Sequence, residues 1–495
     1  MDPTIIPQTG VPEPGTRLDV TIERAAALGR GVARVDGLTL LVARGVPGEA
    51  VTVEVERAFP RYALARVTAV HRAALARTEP SCPHFERCGG CDWQHVDYPA
   101  QLAIKRAVVA EQLERIGGGL TPPADWPLVP ASEPLGYRDK LEFTPVAHEG
   151  RYAPGFHDTG GQTVVPIAQC RLAPEVFTRL AQTVLDALLQ AGVLPPPGGH
   201  ASLPLQRLTV QSTEGRDGAP GLAVLLHLRA AGGRSEGQQR RAWQQAGQAV
   251  VPGLRADFPE LTAFALQFPA RMGRGGQRRS GPSVAVLLGP NWLIKRVAGR
   301  AYRVPHTAFF QVNRELAGTL VAHVVEQVQG GPGVAEPAEG PVYDLYGGVG
   351  LFALPLAERG RRVVGVDSDR EGLRAAEESA RGLGLVGCTF LRADLERTGA
   401  LARLIAQHGP PAAVVCDPPR RGLAAPLREA LLAAEPPLIV YVSCDGGTFA
   451  RDAAQLASAY DLVGLRGFDL FPQTHHVELV GTFRRKVADS QASAD

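Results

Sequence analysis

The sequence predicts a multidomain protein that combines α+β and α/β architecture. Three observations carry this prediction: the chain length, a group of short strand-like runs near the N-terminus, and a strand–helix alternation after about residue 300. A chain of 495 residues exceeds what one hydrophobic core normally supports, so two to four domains are expected. We expect a small N-terminal β-barrel, a mainly β central domain and a C-terminal, doubly wound Rossmann-like sheet.

The composition is that of a soluble protein with nearly balanced charge. Lys and Arg number 52 against 50 Asp and Glu, so any nucleic-acid contact must rely on local basic patches such as the four arginines within 271–279. No apolar run approaches the roughly 20 residues of a membrane span. The N-terminal residues carry no secretory signal. A cytoplasmic protein with no membrane partner is therefore expected.

The N-terminal region, residues 10–73, is predicted to form the small β-barrel. Short runs that alternate apolar and polar residues, separated by glycines, are typical of barrel strands. The strongest runs are Leu18–Ile22, Leu38–Val42, Ala50–Val55 and Ala63–Val67.

A helix and a mainly β region follow. Residues 98–116 show helical periodicity, with a predicted buried stripe of Leu102, Val109, Leu113 and Ile116. Further along, strands are predicted at 208–210, 222–228, 264–268 and 284–288, and the Gly-, Arg- and Gln-rich segment 231–240 is predicted to be a loop.

The C-terminal third alternates strands with Ala- and Leu-rich helices, which indicates a parallel sheet. One helix is predicted at residues 370–382, after a Gly-, Pro- and Ala-rich linker at 330–340. The tail, residues 487–495, is small and polar, and we expect it to be disordered. The predicted strands are 342–345, 362–366, 388–391, 412–416 and 438–442.

A glycine-rich turn, Asp344 to Gly350, follows the first of these strands and leads into a helix predicted near Phe352. Glycines there let the backbone approach a nucleotide-type cofactor, and Asp367 ends the next strand, where an acidic residue binds ribose hydroxyls. NAD is a competing cofactor. The further acidic residues Asp394 and Asp417 favour S-adenosylmethionine.

The motif that begins at Asp417 and the cysteine that ends the last strand together indicate methylation of carbon. Arg420 stands where enzymes that methylate exocyclic amines carry an aromatic residue, and the Pro-Cys motif of cytosine-C5 enzymes is absent. Uracil C5 is a poor nucleophile until a thiolate adds to C6. Cys444 is the candidate nucleophile, although most free cysteines are merely small buried residues.

This chemistry also needs a base, because the C5 proton must leave before the cysteine can be eliminated. Glu478 lies within an apolar strand-like run, where a carboxylate is more often poised for catalysis than on a surface. His475 and His476 are the alternatives.

Four cysteines suggest a metal site. Cys82, Cys88 and Cys91 crowd together and Cys170 stands apart, whereas Cys388 and Cys416 lie in core-like stretches. In a cytosolic chain such thiols favour metal binding over disulfides, and the spacing leaves zinc and an iron–sulfur cluster equally open.

From about residue 16 to 486, these motifs resemble the RNA uracil-C5 methyltransferase family, in its iron–sulfur-containing ribosomal RNA branch. Further motifs that carry the resemblance are Tyr137-Arg-Asp-Lys140 and Phe309-Phe-Gln-Val-Asn313. The resemblance implies a TRAM-like barrel at 10–73, an iron–sulfur RNA-binding domain at 74–97 and 120–300, and a methyltransferase domain at 98–119 and 301–486. The helix 98–116 would then pack on the catalytic domain.

The resemblance also implies roles for individual residues. Cys444 falls on the nucleophile and Glu478 on the base. A [4Fe-4S] cluster would be held by Cys82, Cys88, Cys91 and Cys170. S-adenosylmethionine would be bound by Gln311, Tyr346, Asp367, Asp394 and Asp417.

The implied substrate is a uridine of 23S ribosomal RNA, methylated by a monomeric enzyme. Transfer RNA is the alternative substrate, and a catalytically inactive RNA-binding homologue or a redox sensor is the alternative role. Three departures from the family pattern stand out. Gly347 replaces a cysteine, Leu351 replaces a polar residue, and Asp445-Gly446 replaces Asn-Pro, which predicts a looser turn around the nucleophile.

Overall fold

The computed structural model describes most of the chain. The predicted tail 487–495, most of the predicted linker 330–340 and the centre of the arginine cluster 271–279 lie outside the described residues. No helix in the described part is long and apolar enough to cross a bilayer. The described ranges are 12–122, 126–198, 203–215, 217–230, 236–272, 278–330 and 339–486.

The N-terminal region forms one six-stranded sheet in the order β1-β5-β6-β4-β3-β2. Its apolar core is built from alternate residues, for example Val51, Val53 and Val55 of β5. The four predicted runs lie in four of its strands, whereas closure of the sheet into a barrel remains a prediction. The strands are β1 (Arg17–Thr21), β2 (Arg24–Ala25), β3 (Gly31–Val35), β4 (Leu38–Ala43), β5 (Ala50–Phe59) and β6 (Tyr62–Arg72), with a 3-10 helix at Ala27–Gly29.

Helix α1 (Tyr98–Arg115) and the short strand β7 (Leu128–Val129) come next. Asp97 caps α1 by accepting a hydrogen bond from the backbone N–H of Ala100 at 2.8 Å. The helix was predicted correctly, but its buried stripe was predicted only in part. The buried positions are Gln101, Lys105, Val109 and Leu113, whereas Leu102 is half-buried and Ile116 is exposed.

The central region contains a seven-stranded sheet, β10-β9-β8-β11-β12-β13-β16, and two long helices that pack against it. The elements are β8 (Lys140–His148), β9 (Arg151–His157), β10 (Val164–Pro166), α2 (Glu175–Gln190), β11 (Leu205–Glu214), β12 (Pro220–Leu228), α3 (Glu236–Asp257), β13 (Leu261–Phe268), β14 (Arg271–Met272), β15 (Arg278–Ser280), β16 (Ser283–Leu288), β17 (Trp292–Val297) and β18 (Arg300–Pro305).

Two expectations for the central region were therefore wrong. The region is mixed α/β rather than mainly β, because α2 and α3 cover its sheet. Residues 236–240, predicted to be a loop, form the start of α3, and residues 231–235 lie outside the described residues. The start of α3 is rich in Gln and Arg and carries few apolar residues. Its helical character depends on Trp243, Val251 and Leu254, which pack into the core beside β13.

The C-terminal region is an eight-stranded sheet in the order β21-β20-β19-β22-β23-β25-β24-β7. Strands β19 to β23 are parallel, and β25 is antiparallel to both β23 and β24. The five predicted strands are confirmed. The elements are α4 (Arg314–Val328), β19 (Val342–Leu345), α5 (Ala353–Glu358), β20 (Val363–Asp367), α6 (Arg370–Gly382), β21 (Cys388–Arg392), α7 (Ala400–His408), β22 (Ala413–Cys416), α8 (Ala425–Ala434), β23 (Leu438–Ser443), α9 (Gly446–Leu456), β24 (Tyr460–Phe468) and β25 (Glu478–Arg485).

Residues from early in the chain complete this C-terminal region. Helix α1 packs against α9, and Val109 and Leu113 share a buried cluster with Tyr441 and Phe449. Strand β7 pairs with β24 at the sheet edge. The packing of α1 on the catalytic region is as the family resemblance implied.

Candidate active site

The carboxyl ends of adjacent parallel strands meet at one crevice. The strand order reverses at β19, which has β20 on one side and β22 on the other. In doubly wound sheets, ligands bind outside the carboxyl ends of the strands at such a reversal. Asp367 ends β20, Asp417 follows β22 and Cys444 follows β23, so three predicted site residues lie at this edge.

Two aspartates hold the glycine-rich turn between β19 and α5. Asp344 Oδ2 accepts a hydrogen bond from the Ala353 backbone N–H at 2.9 Å, and Asp367 Oδ2 accepts one from that of Gly348 at 2.9 Å. Tyr346 has a φ of 63°, an uncommon backbone conformation for a residue other than glycine. The turn therefore presents its backbone to the crevice in a fixed shape.

The two departures from the family pattern in this turn have structural consequences. A Cβ atom at Gly347 would lie 3.1 Å from both the carbonyl oxygen and Oδ2 of Asp344, so glycine allows a close approach there. Leu351 is buried in the core, and its carbonyl accepts a hydrogen bond from the Tyr302 hydroxyl at 3.1 Å. Its side chain packs rather than offering a polar contact.

Two buried side-chain oxygens near this turn have no hydrogen-bond partner among the described residues: Gln311 Oε1 and Asp344 Oδ1. Phe310, the neighbour of Gln311, packs in the same buried cluster as Leu351. Burial, followed by the charges of Asp417 and Asp367, raises the pKa of Asp344 to about 8. Unpartnered acceptors in an acidic crevice suit a ligand that donates hydrogen bonds and carries positive charge.

Tyr346 directly follows β19, and Asp394 lies two residues after β21. Tyr346 is half-buried, and burial, followed by the charge of Cys416, raises the pKa of its hydroxyl to about 12, with Asp394 among the further charges that contribute. Asp394 is exposed and accepts a hydrogen bond from the Glu396 backbone N–H at 3.1 Å. Both residues therefore follow the carboxyl ends of parallel strands.

Three carboxylates and one guanidinium group act on Cys444. Burial, followed by the charges of Glu478 and Asp417, raises the pKa of its thiol to about 12; Arg420 opposes this shift and Asp445 adds to it. Burial, followed by the charge of Asp417, raises the pKa of Glu478 well above its usual value, and burial raises that of Asp417 to about 7. In the free protein at neutral pH, Cys444 is therefore a thiol, and ionisation of Glu478 is disfavoured.

The turn around Cys444 is held by hydrogen bonds, and the expectation that it is looser than an Asn-Pro turn stays a prediction. Asp445 caps α9 by accepting a hydrogen bond from the Thr448 backbone N–H at 2.8 Å. The Ser443 hydroxyl donates to the Asp445 carbonyl at 3.1 Å. A Cβ atom at Gly446 would lie 2.3 Å from Gln112 Oε1, so glycine leaves room for α1 to pack beside the nucleophile.

Both histidines that were alternative bases have other partners. His475 Nδ1 lies 2.7 Å from Asp92 Oδ2, and His476 Nε2 lies 3.2 Å from the Arg420 guanidinium. Burial, followed by the charges of His475 and Arg420, lowers the pKa of His476 to about 3. Glu478 exerts the largest charge effect on the Cys444 thiol, which favours it over either histidine as the base.

The four clustered cysteines, Cys82, Cys88, Cys91 and Cys170, line one cavity of about 480 Å³. Burial raises the pKa of Cys91 to about 12, with Cys170 and Cys88 contributing, so these thiols act on one another. Among the described residues, no three Cys, His, Asp or Glu side chains are arranged to hold a single metal ion. Cys388 and Cys416 pack in the core, as predicted.

Two family models match the chain. The TRAM domain model matches residues 12–68, and the tRNA (Uracil-5-)-methyltransferase model matches residues 406–486, which include Cys416 to Glu478. The first match confirms the predicted TRAM domain.

Relatives match nearly the whole chain. An RNA methyltransferase of Gloeobacter violaceus is 34% identical over 481 residues, covering 95% of this chain and 97% of the relative. The 23S rRNA (uracil(1939)-C(5))-methyltransferase RlmD of Azoarcus sp. is 31% identical over 470 residues. The match covers 92% of this chain and 97% of the relative. The chain belongs to the RNA uracil-C5 methyltransferase family.

A solved structure supports the fold of this RNA uracil-C5 methyltransferase. The tRNA (uracil-54, C5)-methyltransferase of Pyrococcus abyssi, in complex with S-adenosyl-L-homocysteine, superposes with a TM-score of 0.67 and 23% identity. The match covers 94% of this chain and 99% of that chain, so the two proteins share their overall architecture.

Sequence reasoning missed several residues of the methyltransferase that support the site. Gln101, Lys105 and Asp92 make hydrogen bonds to the segment that precedes Glu478. Gln101 and Lys105 occupy the helical stripe that continues through Val109 and Leu113 at four-residue spacing. Polar residues on a buried helix face were the signal available in the sequence.

Proposed function

We propose that this methyltransferase methylates C5 of a uridine in 23S ribosomal RNA through a covalent bond between Cys444 and C6 of the base. The observation that carries the proposal is the position of Cys444, which follows β23 with Asp417 and Glu478 beside it. A thiol, a carboxyl base and a cofactor turn at one sheet edge are what this reaction requires.

The crevice suits S-adenosylmethionine as the methyl donor. The proposed binding residues are Gln311, Tyr346, Asp367, Asp394 and Asp417. The unpartnered oxygens of Gln311 and Asp344 match the hydrogen-bond donors of an ammonium group, and the buried acids match a net positive charge. When bound, S-adenosylmethionine supplies the electrophilic methyl group that C5 accepts.

Cys444 and Glu478 act in sequence on the uracil ring. The Cys444 thiolate adds to C6, and the electron pair of the C5–C6 bond makes C5 nucleophilic. After methylation, the Glu478 carboxylate takes the proton from C5, the double bond re-forms and the sulfur of Cys444 leaves. His475 and His476 remain the alternative bases.

The raised pKa values have a role in this proposal. Burial raises the pKa of Cys444, Glu478 and Asp417, and the charge of Asp417 adds to the effect on Cys444 and Glu478. A cationic ligand nearby favours the anionic forms of these groups. With S-adenosylmethionine bound, the Cys444 thiolate needed for addition and the Glu478 carboxylate needed to remove the C5 proton would therefore both be favoured.

We further propose that Cys82, Cys88, Cys91 and Cys170 hold a [4Fe-4S] cluster. Four thiols line one cavity of about 480 Å³, and four thiolates are the ligand set that a [4Fe-4S] cluster takes. The side-chain amide of Gln94 donates to Cys91 Sγ at 3.2 Å, as second-sphere groups around thiolate sites do.

The RNA proposal follows from the TRAM domain and from the relative named as a 23S ribosomal RNA enzyme. Because C5 and C6 of a stacked base are shielded, the target uridine must be flipped out to reach Cys444. Transfer RNA is the alternative substrate, in line with the printed name of the matching family model. We propose a monomeric, cytoplasmic enzyme.

An RNA containing 5-fluorouracil tests the covalent mechanism. Fluorine cannot leave C5 as a proton does, so the bond between Cys444 and C6 persists after methyl transfer. We expect wild-type protein with S-adenosylmethionine to form an adduct that resists denaturing electrophoresis. Cys444→Ala should form none, whereas the control Cys388→Ala should behave as wild type.

The outcome also separates the alternatives. An adduct that survives in Cys444→Ala would disprove the assigned nucleophile. No adduct with any RNA would favour the inactive RNA-binding homologue. Mapping 5-methyluridine in ribosomal and transfer RNA of a deletion strain would then identify the substrate.

A further inference from the structure

The segment from Asp469 to Val477, which leads directly into Glu478, is held by residues from far away in the sequence. The carbonyl of Gln473 accepts hydrogen bonds from the backbone N–H groups of Asp92 at 2.9 Å and Trp93 at 3.0 Å. Gln473 itself has a φ of 68°, so its backbone adopts a conformation that needs support from its surroundings.

Asp92 also binds the segment through its side chain. Its Oδ2 accepts a hydrogen bond from the His475 backbone N–H at 3.0 Å and lies 2.7 Å from His475 Nδ1. Asp92 directly follows Cys91, one of the four cavity thiols. A single peptide bond therefore joins the thiol site to the residue that holds the backbone three positions before Glu478.

Helix α1 supports the same segment from another side. The Gln101 side chain accepts from the Gln473 backbone N–H and donates to its side-chain oxygen, both at 3.0 Å. Lys105 donates to Asp469 Oδ1 at 2.6 Å, and the Tyr137 hydroxyl donates to the Pro472 carbonyl at 3.1 Å. These contacts hold residues 469–473, whereas Asp92 forms its side-chain contacts with His475.

We infer that Asp92 is a positioning residue for Glu478. Through Asp92, the loop that carries Cys82, Cys88 and Cys91 (the cysteine-rich loop) controls the removal of the C5 proton. The inference rests on the proposed function. Strand β25 begins at Glu478, so the backbone at His475 sets where the carboxylate enters the crevice. Misplacing a catalytic group by about 1 Å can cost roughly 100-fold in rate.

The inference assigns Asp92 to one step of the reaction, and that step can be isolated. Addition of Cys444 and methyl transfer suffice to form the adduct with 5-fluorouracil RNA, whereas turnover on ordinary RNA also needs the base. Asp92→Ala should therefore form the fluorouracil adduct at nearly the wild-type rate. Its turnover on ordinary RNA should fall by about 10- to 100-fold, with the covalent intermediate accumulating as it should in Glu478→Gln.

Two further variants test whether the hydrogen bonds of Asp92 or its charge matter, and whether any mutation in this loop harms the protein. Asp92→Asn keeps an oxygen that can accept both hydrogen bonds from His475, so its turnover should stay within about threefold of wild type. Glu86→Ala removes an exposed carboxylate from the same cysteine-rich loop and should leave turnover unchanged. Amide hydrogen exchange at residues 473–477 should quicken in Asp92→Ala but not in Asp92→Asn.

Three results would overturn the inference. Equal losses of adduct formation and turnover in Asp92→Ala would mean general damage, and unchanged turnover would mean that Asp92 is not needed. Failure of Asp92→Asn to recover turnover would show that charge, not position, matters. If wild-type protein forms no adduct at all, the proposed function itself fails.

Discussion

At the scale of single residues, the crevice is an acidic site in which more carboxylates than cations act on Cys444. Asp344, Asp417 and Glu478 all have a raised pKa, caused first by burial. Arg420 is the cation that acts on Cys444, and it is exposed. This imbalance favours a positively charged ligand and makes the free protein sensitive to high pH.

The first prediction concerns Asp344, whose pKa is about 8 in the folded protein. A carboxyl group whose pKa is higher in the folded protein than in the unfolded chain stabilises the fold. This stabilisation is fully present below the unfolded pKa, near 4, and is lost as the pH rises through the folded pKa. Between pH 6 and pH 9, the free energy of unfolding of the wild-type protein should fall by on the order of 2 kcal/mol because of this residue. Asp344→Asn should lose much less, as measured by urea unfolding without cofactor.

Asp461→Asn is the matched control, because Asp461 is exposed on β24 and should leave the pH dependence unchanged. An Asp344→Asn protein that loses as much stability as wild type over this range would contradict the assignment of a buried, protonated carboxyl group.

At the scale of elements, the start of α9 shows how the departure at Asp445 is accommodated. The residue caps the helix with the same kind of oxygen that Asn would offer, and its carboxylate raises the pKa of Cys444 in addition. Asp445 therefore both caps the helix and disfavours ionisation of the thiol beside it.

The second prediction follows for two variants of Asp445. Asp445→Asn should keep the cap and remove the charge, so Cys444 should be alkylated several-fold faster at pH 8. Asp445→Ala should also remove the charge but cost about 1 kcal/mol of stability through the lost cap. Mass spectrometry of the Cys444 peptide measures the rate of alkylation, and thermal unfolding measures the loss of stability. Unchanged alkylation in Asp445→Asn would argue against the charge effect.

At the scale of the whole molecule, the catalytic region depends on helix α1, which lies far earlier in the sequence. Lys105 of α1 and Asp469 are both buried and form an ion pair at 2.6 Å, although 364 positions separate them. A buried charge that loses its partner is strongly destabilising, whereas replacing both partners by apolar residues is often neutral.

The third prediction uses this pair. Lys105→Met should lower the free energy of unfolding by about 3–5 kcal/mol, because the Asp469 carboxylate is left buried without its partner. Lys105→Met combined with Asp469→Leu should recover much of the loss. Arg115→Met, which breaks the exposed pair with Glu111 on the same helix, should cost less than about 1 kcal/mol. Equal losses in Lys105→Met and Arg115→Met would refute the argument.

The local pattern of the chain was enough to predict the five parallel strands, the glycine-rich turn, the helix at Tyr98 and the cysteine after β23. Hydrophobic periodicity and turn residues are properties of neighbouring positions, so they can be read without the fold. The family resemblance added α1 to the catalytic region, added Gln311 and Tyr346 to the proposed cofactor site and favoured an iron–sulfur cluster over zinc.

Only the tertiary structure decided what depends on distant contacts. The amphipathic character of α3 is weak in sequence and is completed by packing on β13. The helical stripe marks Gln101 and Lys105 as candidates for burial, but no local pattern reveals the hydrogen-bond partners in residues 469–473 that satisfy them. The same holds for Asp92 and His475, which are 383 positions apart in the chain. Local sequence determined the elements and the reactive groups, and long-range polar contacts, whose partners come from other parts of the chain, determined how those groups are held.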